Sequence, residues 1–221
     1  MSPVAHQTGV CRRRGHLSTD RLADDTSTRD AGQRPRLVLV AGAPGSGKTT
    51  LARRLAVALG MPVLHRDPIS HAIADAFEAR EPAMRALVMQ ASFGVFYAIM
   101  DDLLAVSGAV AETNFHHGVS EPEVGLRAAA ARTVLIHCET PYEVSVARFR
   151  RRWEHGERHW STYDAARLAQ IDAGEVPAAW ANAVPMELPV PIMRVDTTDG
   201  YTPPFNAIIA FIRASTEDSP P

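Results

Sequence analysis

Lysine is nearly absent from this chain. Of its 23 basic residues only Lys48 is a lysine; the other 22 are arginine. Arginine fills most surface roles of a cation, so a lone lysine marks a place where a compact ammonium is required. Cysteine is equally scarce: Cys11 and Cys138 cannot build a disulfide framework, which points to a reducing, cytoplasmic compartment. No unbroken apolar run approaches the roughly 18 residues of a membrane span. The first residues carry no apolar core of the signal-peptide kind, so no membrane association is expected. Excess charge of one sign is missing as well. A formal net charge of -2 argues against a strongly basic nucleic-acid binder.

What is present is ordinary in bulk. Apolar residues make up 46% and charged residues 22% of 221, as in a soluble globular protein. A chain of this length buries roughly 70% of its unfolded surface without a metal or disulfide staple. Residues 1–34 lack apolar periodicity and mix Arg12-Arg13-Arg14 with Asp20, Asp24, Asp25 and Asp30. They are expected to form a disordered or loosely attached arm. Residues 35–214 are expected to form one domain, with a tail over 215–221.

Within that domain short apolar runs alternate with helical patterns. Strands are expected at 37–40, 62–65, 109–111, 133–138 and 192–195. Helices are expected at 47–59, 68–79, 82–106, 121–131, 141–152, 162–172 and 205–213. Continuous apolar strands between helices imply an α/β fold: a five-stranded parallel sheet sandwiched by helices.

One motif carries chemistry. Gly42-Ala43-Pro44-Gly45-Ser46-Gly47-Lys48-Thr49 matches the pattern G-x-x-x-x-G-K-[ST] in full. It follows a predicted strand and opens a predicted helix, the context the pattern requires. Its glycines let backbone N–H groups turn inward around phosphate oxygens. The helix N-terminus aims its positive end at the same place. Lys48 reaches the β- and γ-phosphates, and the Thr49 hydroxyl ligates Mg²⁺. Thr50 follows in the first turn as a further nucleotide contact. No guanine-reading Asn-Lys-x-Asp pattern occurs, so ATP is the default nucleotide.

With this loop in its context, residues 36–213 resemble the P-loop nucleoside triphosphatases. The chain is most similar to their small-molecule and polynucleotide kinase branch, which includes chloramphenicol phosphotransferase, zeta toxins and polynucleotide kinase domains. The resemblance implies Mg·ATP as phosphoryl donor and a mobile arginine-bearing lid. In those kinases an aspartate after the second strand orients the acceptor hydroxyl and takes its proton. Asp67, in His65-Arg66-Asp67-Pro68, stands at the matching position. The same Asp-Pro pair also fits a helix cap.

Ala111-Glu112-Thr113-Asn114 places an acid at the end of the third strand, the edge where open parallel sheets hold ligands. Related kinases carry aspartate there; the longer glutamate arm displaces the carboxylate. Glu112 and Asn114 are assigned to substrate, with Glu112 a second magnesium contact through water. His116 and His117 are too few for a metal site. Arg148, Arg150, Arg151, Arg152 and Arg158 precede or occupy a Gly-containing lid expected at 150–161. Guanidinium groups suit a transferring phosphoryl. Arg148 and Arg152 are the first choices as catalytic cations, and Arg158 as a nucleotide contact. Thr197, after the fifth strand, is assigned beside the adenine. Met84, Leu87, Met89, Phe93, Phe96, Tyr97 and Met100 divide between core and an acceptor pocket.

The function expected is therefore transfer of the γ-phosphoryl of ATP to a hydroxyl of a small molecule. Two alternatives stand beside it: a polynucleotide 5′-hydroxyl kinase, disfavoured by the net charge, and a nucleotide-binding regulator or slow ATPase.

Overall fold

A computed structural model of the chain describes residues 34–216. The expected arm, with Cys11, and the end of the expected tail lie outside the described residues. Those described form five strands and eight helices. In chain order these are β1 (Arg36–Gly42), α1 (Lys48–Leu59), β2 (Val63–His65), α2 (Arg66–Ala76), α3 (Pro82–Val106), β3 (Gly108–Glu112) and α4 (Glu121–Ala130). There follow β4 (Arg132–Glu139), α5 (Tyr142–Glu154), α6 (Asp164–Asp172), α7 (Ala178–Ala181), β5 (Ile192–Asp196) and α8 (Phe205–Thr216). The sheet runs β2-β3-β1-β4-β5 with every pairing parallel.

The central strand shows why the sheet needs cover on both faces. Side chains of β1 alternate in direction. Leu37, Leu39 and Ala41 pack into a core with Phe96, Met100 and Leu104 of α3 and Val124 of α4. Val38 and Val40 pack on the opposite face with Leu51 and Leu55 of α1 and Ile208 and Ile212 of α8. Each fully buried Leu or Ile contributes about 2 kcal/mol through loss of apolar surface from water. Crossing β1 reverses the direction in which the connections run, so the loop leaving its carboxyl end opens at a switch point of the sheet.

α3 is 25 residues long and its best 18-residue window has a mean hydropathy of 1.4. By length and composition alone it is apolar enough to cross a membrane, although it contains no unbroken run of that length. Here it lies along the sheet and buries Val88, Ser92, Phe96, Tyr97, Met100 and Leu104. Of the residues divided between core and pocket, Phe96 and Met100 are core, Met84 and Leu87 are exposed, and Met89 lines a cavity. Several helix ends differ from the sequence reading: α2 stops at Ala76, α8 runs on to Thr216 into the expected tail, and α7 was not expected. α2 starts at Arg66 rather than Pro68, and α5 runs on to Glu154. The irregular part of the lid is therefore confined to 155–163.

Candidate active site

The turn after β1 is shaped by what surrounds it. Gly45 has φ +84°, and a Cβ there would lie 2.3 Å from the Ser145 carbonyl oxygen. At Gly42, φ +145°, a Cβ would lie 2.5 Å from the Cys138 carbonyl oxygen. Only glycine satisfies both the dihedral and the space. Gly47, φ +80°, starts α1 with no side-chain cap. Its neighbours Ala43, Pro44 and Ser46 complete the turn, with the Ser46 N–H donating to the Ala43 carbonyl at 3.1 Å. The Ser46 hydroxyl is buried with no partner.

Two groups brace this turn from behind. The Thr197 hydroxyl donates to the Ser46 carbonyl at 2.6 Å. The Arg148 guanidinium donates to the carbonyls of Gly45 (3.4 Å), Thr197 (3.0 Å) and Thr198 (2.6 Å). Arg148 is therefore spent on carbonyls and lies outside the cavity, which corrects the expectation that it faces a transferring phosphoryl. Thr197 likewise sits against Gly47 as a buttress, not on the cavity wall. Thr50, in the first turn of α1, is exposed and lines no part of the cavity.

In front of the turn lies a cavity of about 800 Å³, its open mouth included. Pro44, Lys48 and Thr49 form its floor; Asp67, Asn114, Arg152 and Arg158 stand on its walls. The cavity thus gathers residues from the first turn, the β2–α2 junction, the end of β3 and the lid. The Lys48 ammonium donates to the Ala43 carbonyl at 3.3 Å and lies 3.9 Å from Glu112 Oε1. Burial pushes its pKa down, against the opposing pull of Glu112 and Asp67.

Glu112 is buried behind the lysine. Its other oxygen accepts from His65 Nδ1 at 2.8 Å, one register step across the sheet. Both Glu112 oxygens are thus engaged by Lys48 and His65, and Glu112 lines no part of the cavity. Thr49 is the protein oxygen that fits a magnesium ion. Among the described residues no group of three or more His, Cys, Asp or Glu side chains is placed to hold a metal ion.

Asp67 is not a cap: α2 has no side-chain cap bond, and the Asp67 carboxylate instead accepts from Arg66 at 2.8 Å. Burial pushes its pKa up, but Arg66, Lys48, Arg158 and His71 outweigh that and hold it below the ordinary value. Arg66 is itself fixed by bonds to Thr113 and Ser92, both 3.2 Å, and by the Phe93 ring 4.9 Å away. Asn114 Oδ1 is buried and unpartnered.

The lid closes the cavity over α2. The His159 ring stacks on His71 at 4.2 Å. Asp75 of α2 accepts from Trp160 at 2.8 Å and pairs with His159 at 3.1 Å. Arg158 and Arg167 share the fully buried Asp164. Arg152 has no carboxylate partner among the described residues, and burial followed by repulsion from Arg158 pushes its pKa down. Sequence reasoning missed Arg66, Arg85 and Arg167 on the cavity wall. Arg85 had a signal: it is the only charged residue between Pro82 and Met100.

The comparisons with known proteins agree with this geometry. A family model described as an AAA domain matches residues 37–177, from β1 past the lid. The chain superposes on a candidate kinase from Chloroflexus aurantiacus J-10-fl with a TM-score of 0.69 and 24% identity, covering 84% of this chain and all of that one. APS kinase from Mycobacterium tuberculosis, solved with AMPPNP and APS, gives 0.50 at 16% identity over 84% of this chain and 99% of its own. No curated protein is significantly similar in sequence. The fold is that of the P-loop kinases.

Proposed function

The chain belongs to the AAA domain family and has a P-loop kinase-type fold; from that premise we propose that it is a phosphotransferase acting from Mg·ATP to a hydroxyl of a small molecule. One observation carries the reading. Lys48 on the floor and Asp67 on the wall face one cavity, with Arg152 and Arg158 on the segment that covers it. A phosphate cradle alone would serve a switch; a carboxylate held opposite it serves transfer.

The division of labour follows from position. The backbone of residues 42–47 and the Lys48 ammonium hold the polyphosphate, and Thr49 holds Mg²⁺. Bound there, Mg·ATP supplies an electrophilic γ-phosphorus. Asp67 orients the acceptor O–H. Its proton passes to the carboxylate as the oxygen joins phosphorus and the β–γ bridging bond breaks, leaving ADP. A carboxyl held below its ordinary pKa is a weak base, so Asp67 chiefly positions the hydroxyl and takes the proton late. That suits phosphoryl transfer, whose transition state has little bond formation to the nucleophile. Arg152 has no carboxylate to satisfy and is the cation available to the transferring phosphoryl. Arg158 is the second, released from Asp164 as the lid adjusts. Arg148 and Thr197 are positioning residues that keep the cradle in shape, and Glu112 positions Lys48.

The test is incubation with γ-labelled ATP and a panel of hydroxylated metabolites, nucleosides and a 5′-hydroxyl oligonucleotide. Label appearing on a small molecule supports the reading. Release of label as inorganic phosphate with every acceptor would favour the ATPase reading instead.

A further inference from the structure

We infer that the acceptor is an anion: a hydroxyl-bearing small molecule whose carboxylate or phosphate ester is gripped by Arg85, which α3 brings to the cavity wall. The assignment rests on the phosphotransferase reading and adds the chemical class of its second substrate.

Charge is the first ground. Lys48, Arg66, Arg85, Arg152, Arg158 and Arg167 line the cavity, against the single carboxylate of Asp67. Lys48 has Glu112 behind it, Arg66 has Asp67, and Arg158 and Arg167 divide Asp164. Arg85 and Arg152 have no carboxylate partner among the described residues. Two guanidinium groups thus face the space unneutralised, and two more divide a single counter-charge.

Position is the second ground. Lys48 opens α1 at the cradle, and Arg152 lies one helical turn after Arg148, which braces the cradle. Arg85 belongs to a different element, near the start of α3, whose Val88 and Met89 also line the cavity. Its guanidinium lies over the Tyr163 ring at 5.4 Å, so it is held by stacking rather than by an ion pair. Its Nε is buried without a partner. Polyphosphate on the P-loop is served by Lys48 and Arg152; Arg85 is left for the acceptor.

A neutral acceptor would leave the Arg85 donors unpaired in a covered cavity, at the cost of desolvating a charged group. An anionic one completes a charge-assisted fork. The unpartnered Asn114 Oδ1, by Asp67, accepts a bond from an acceptor hydroxyl. Val88 and Met89 line the same cavity and offer apolar contact to a short carbon skeleton.

The experiment is calorimetric titration of the ATPγS-loaded protein with matched pairs: glycerate and glycerol, gluconate and sorbitol, glucose 6-phosphate and glucose. The first two pairs test a carboxylate and the third a phosphate ester. At least one acid should bind about tenfold or more tightly than its neutral twin. Arg85→Gln should weaken that acid by about tenfold or more and leave the ATPγS affinity within about twofold. Arg85→Lys, which keeps the charge and loses the fork, should fall between. Equal binding of the twins, no acid binding at about 10 mM, indifference to Arg85→Gln, or binding of a 5′-hydroxyl oligonucleotide alone would each overturn the assignment. If ATPγS itself fails to bind, the phosphotransferase reading falls. Titration of the nucleotide-free chain then decides the anion site separately: acid binding lost in Arg85→Gln keeps it, and no binding removes it.

Discussion

The cradle and the lid hold charge by opposite means. The cradle is made of backbone: three positive-φ glycines, two of them pressed against the Cys138 and Ser145 carbonyls, braced by Thr197 and Arg148. Its only catalytic side chain from the motif's cation set is Lys48. The lid is made of side chains: a stacked histidine pair, two bonds to Asp75, and arginines sharing one buried aspartate. Backbone in fixed contact cannot rearrange cheaply. The contacts to the exposed Asp75 can exchange partners at about 0–1 kcal/mol per ion pair, whereas the arginines on the buried Asp164 are held more firmly. The turn after β1 is thus fixed by backbone packing, while the cover over it combines one buried anchor at Asp164 with replaceable contacts at Asp75.

The largest effects should come from the cradle. Lys48→Ala should lower turnover by about 10³-fold or more, because nothing else reaches the β–γ oxygens from the floor. A variant with near-normal turnover would remove the lysine from the mechanism. Gly45→Ala should cost about 3 kcal/mol, since it combines a left-handed φ with a 2.3 Å contact to backbone. Chemical denaturation measures it, and a loss below about 0.5 kcal/mol would mean that the cradle yields, erasing its contrast with the lid.

Asp67→Asn should act between the two regions. It should lower kcat by about 10²-fold while the nucleotide affinity stays within a few-fold. A parallel loss of nucleotide affinity would make Asp67 part of the donor site instead.

The lid should respond more gently, and to pH. Burial, then the neighbouring His159, push the His71 pKa below its ordinary 6.5. The docked lid therefore binds fewer protons than the released one. Its docking is at full strength above about pH 6.5 and weakens as pH falls below it. Amide exchange over 155–163, corrected for intrinsic rates, should accelerate between pH 7 and 5, and less so in His71→Phe. Equal acceleration in both would detach the histidine pair from the effect. The smallest change is expected at Cys138, which is 1% exposed and whose thiol burial pushes up to about 12. It should resist alkylation at pH 8 in the folded chain.

The same contrast explains what could be read in advance. The five strands, the sheet's parallel sense and the cradle are written in local patterns: apolar runs, glycine spacing and one lysine. Asp67 was legible by position, yet only the fold shows that it caps nothing. Arg148 and Arg152 look alike in a run of arginines. Which one meets the cavity depends on the carbonyls of Gly45, Thr197 and Thr198, two of them about fifty residues further on. Glu112 looked like a ligand because it ends a strand; its partner His65 is visible only through strand register. Arg85 and Arg167 reach the cavity from α3 and α6, and no local pattern joins those helices to the P-loop.

The most direct test of the central claim is calorimetric titration of the full chain with Mg·ATPγS, beside Lys48→Ala. The account predicts saturable binding at one site per chain, weakened about a hundredfold or beyond detection in the variant. Absence of binding at millimolar nucleotide, or equal binding by the two proteins, would contradict it.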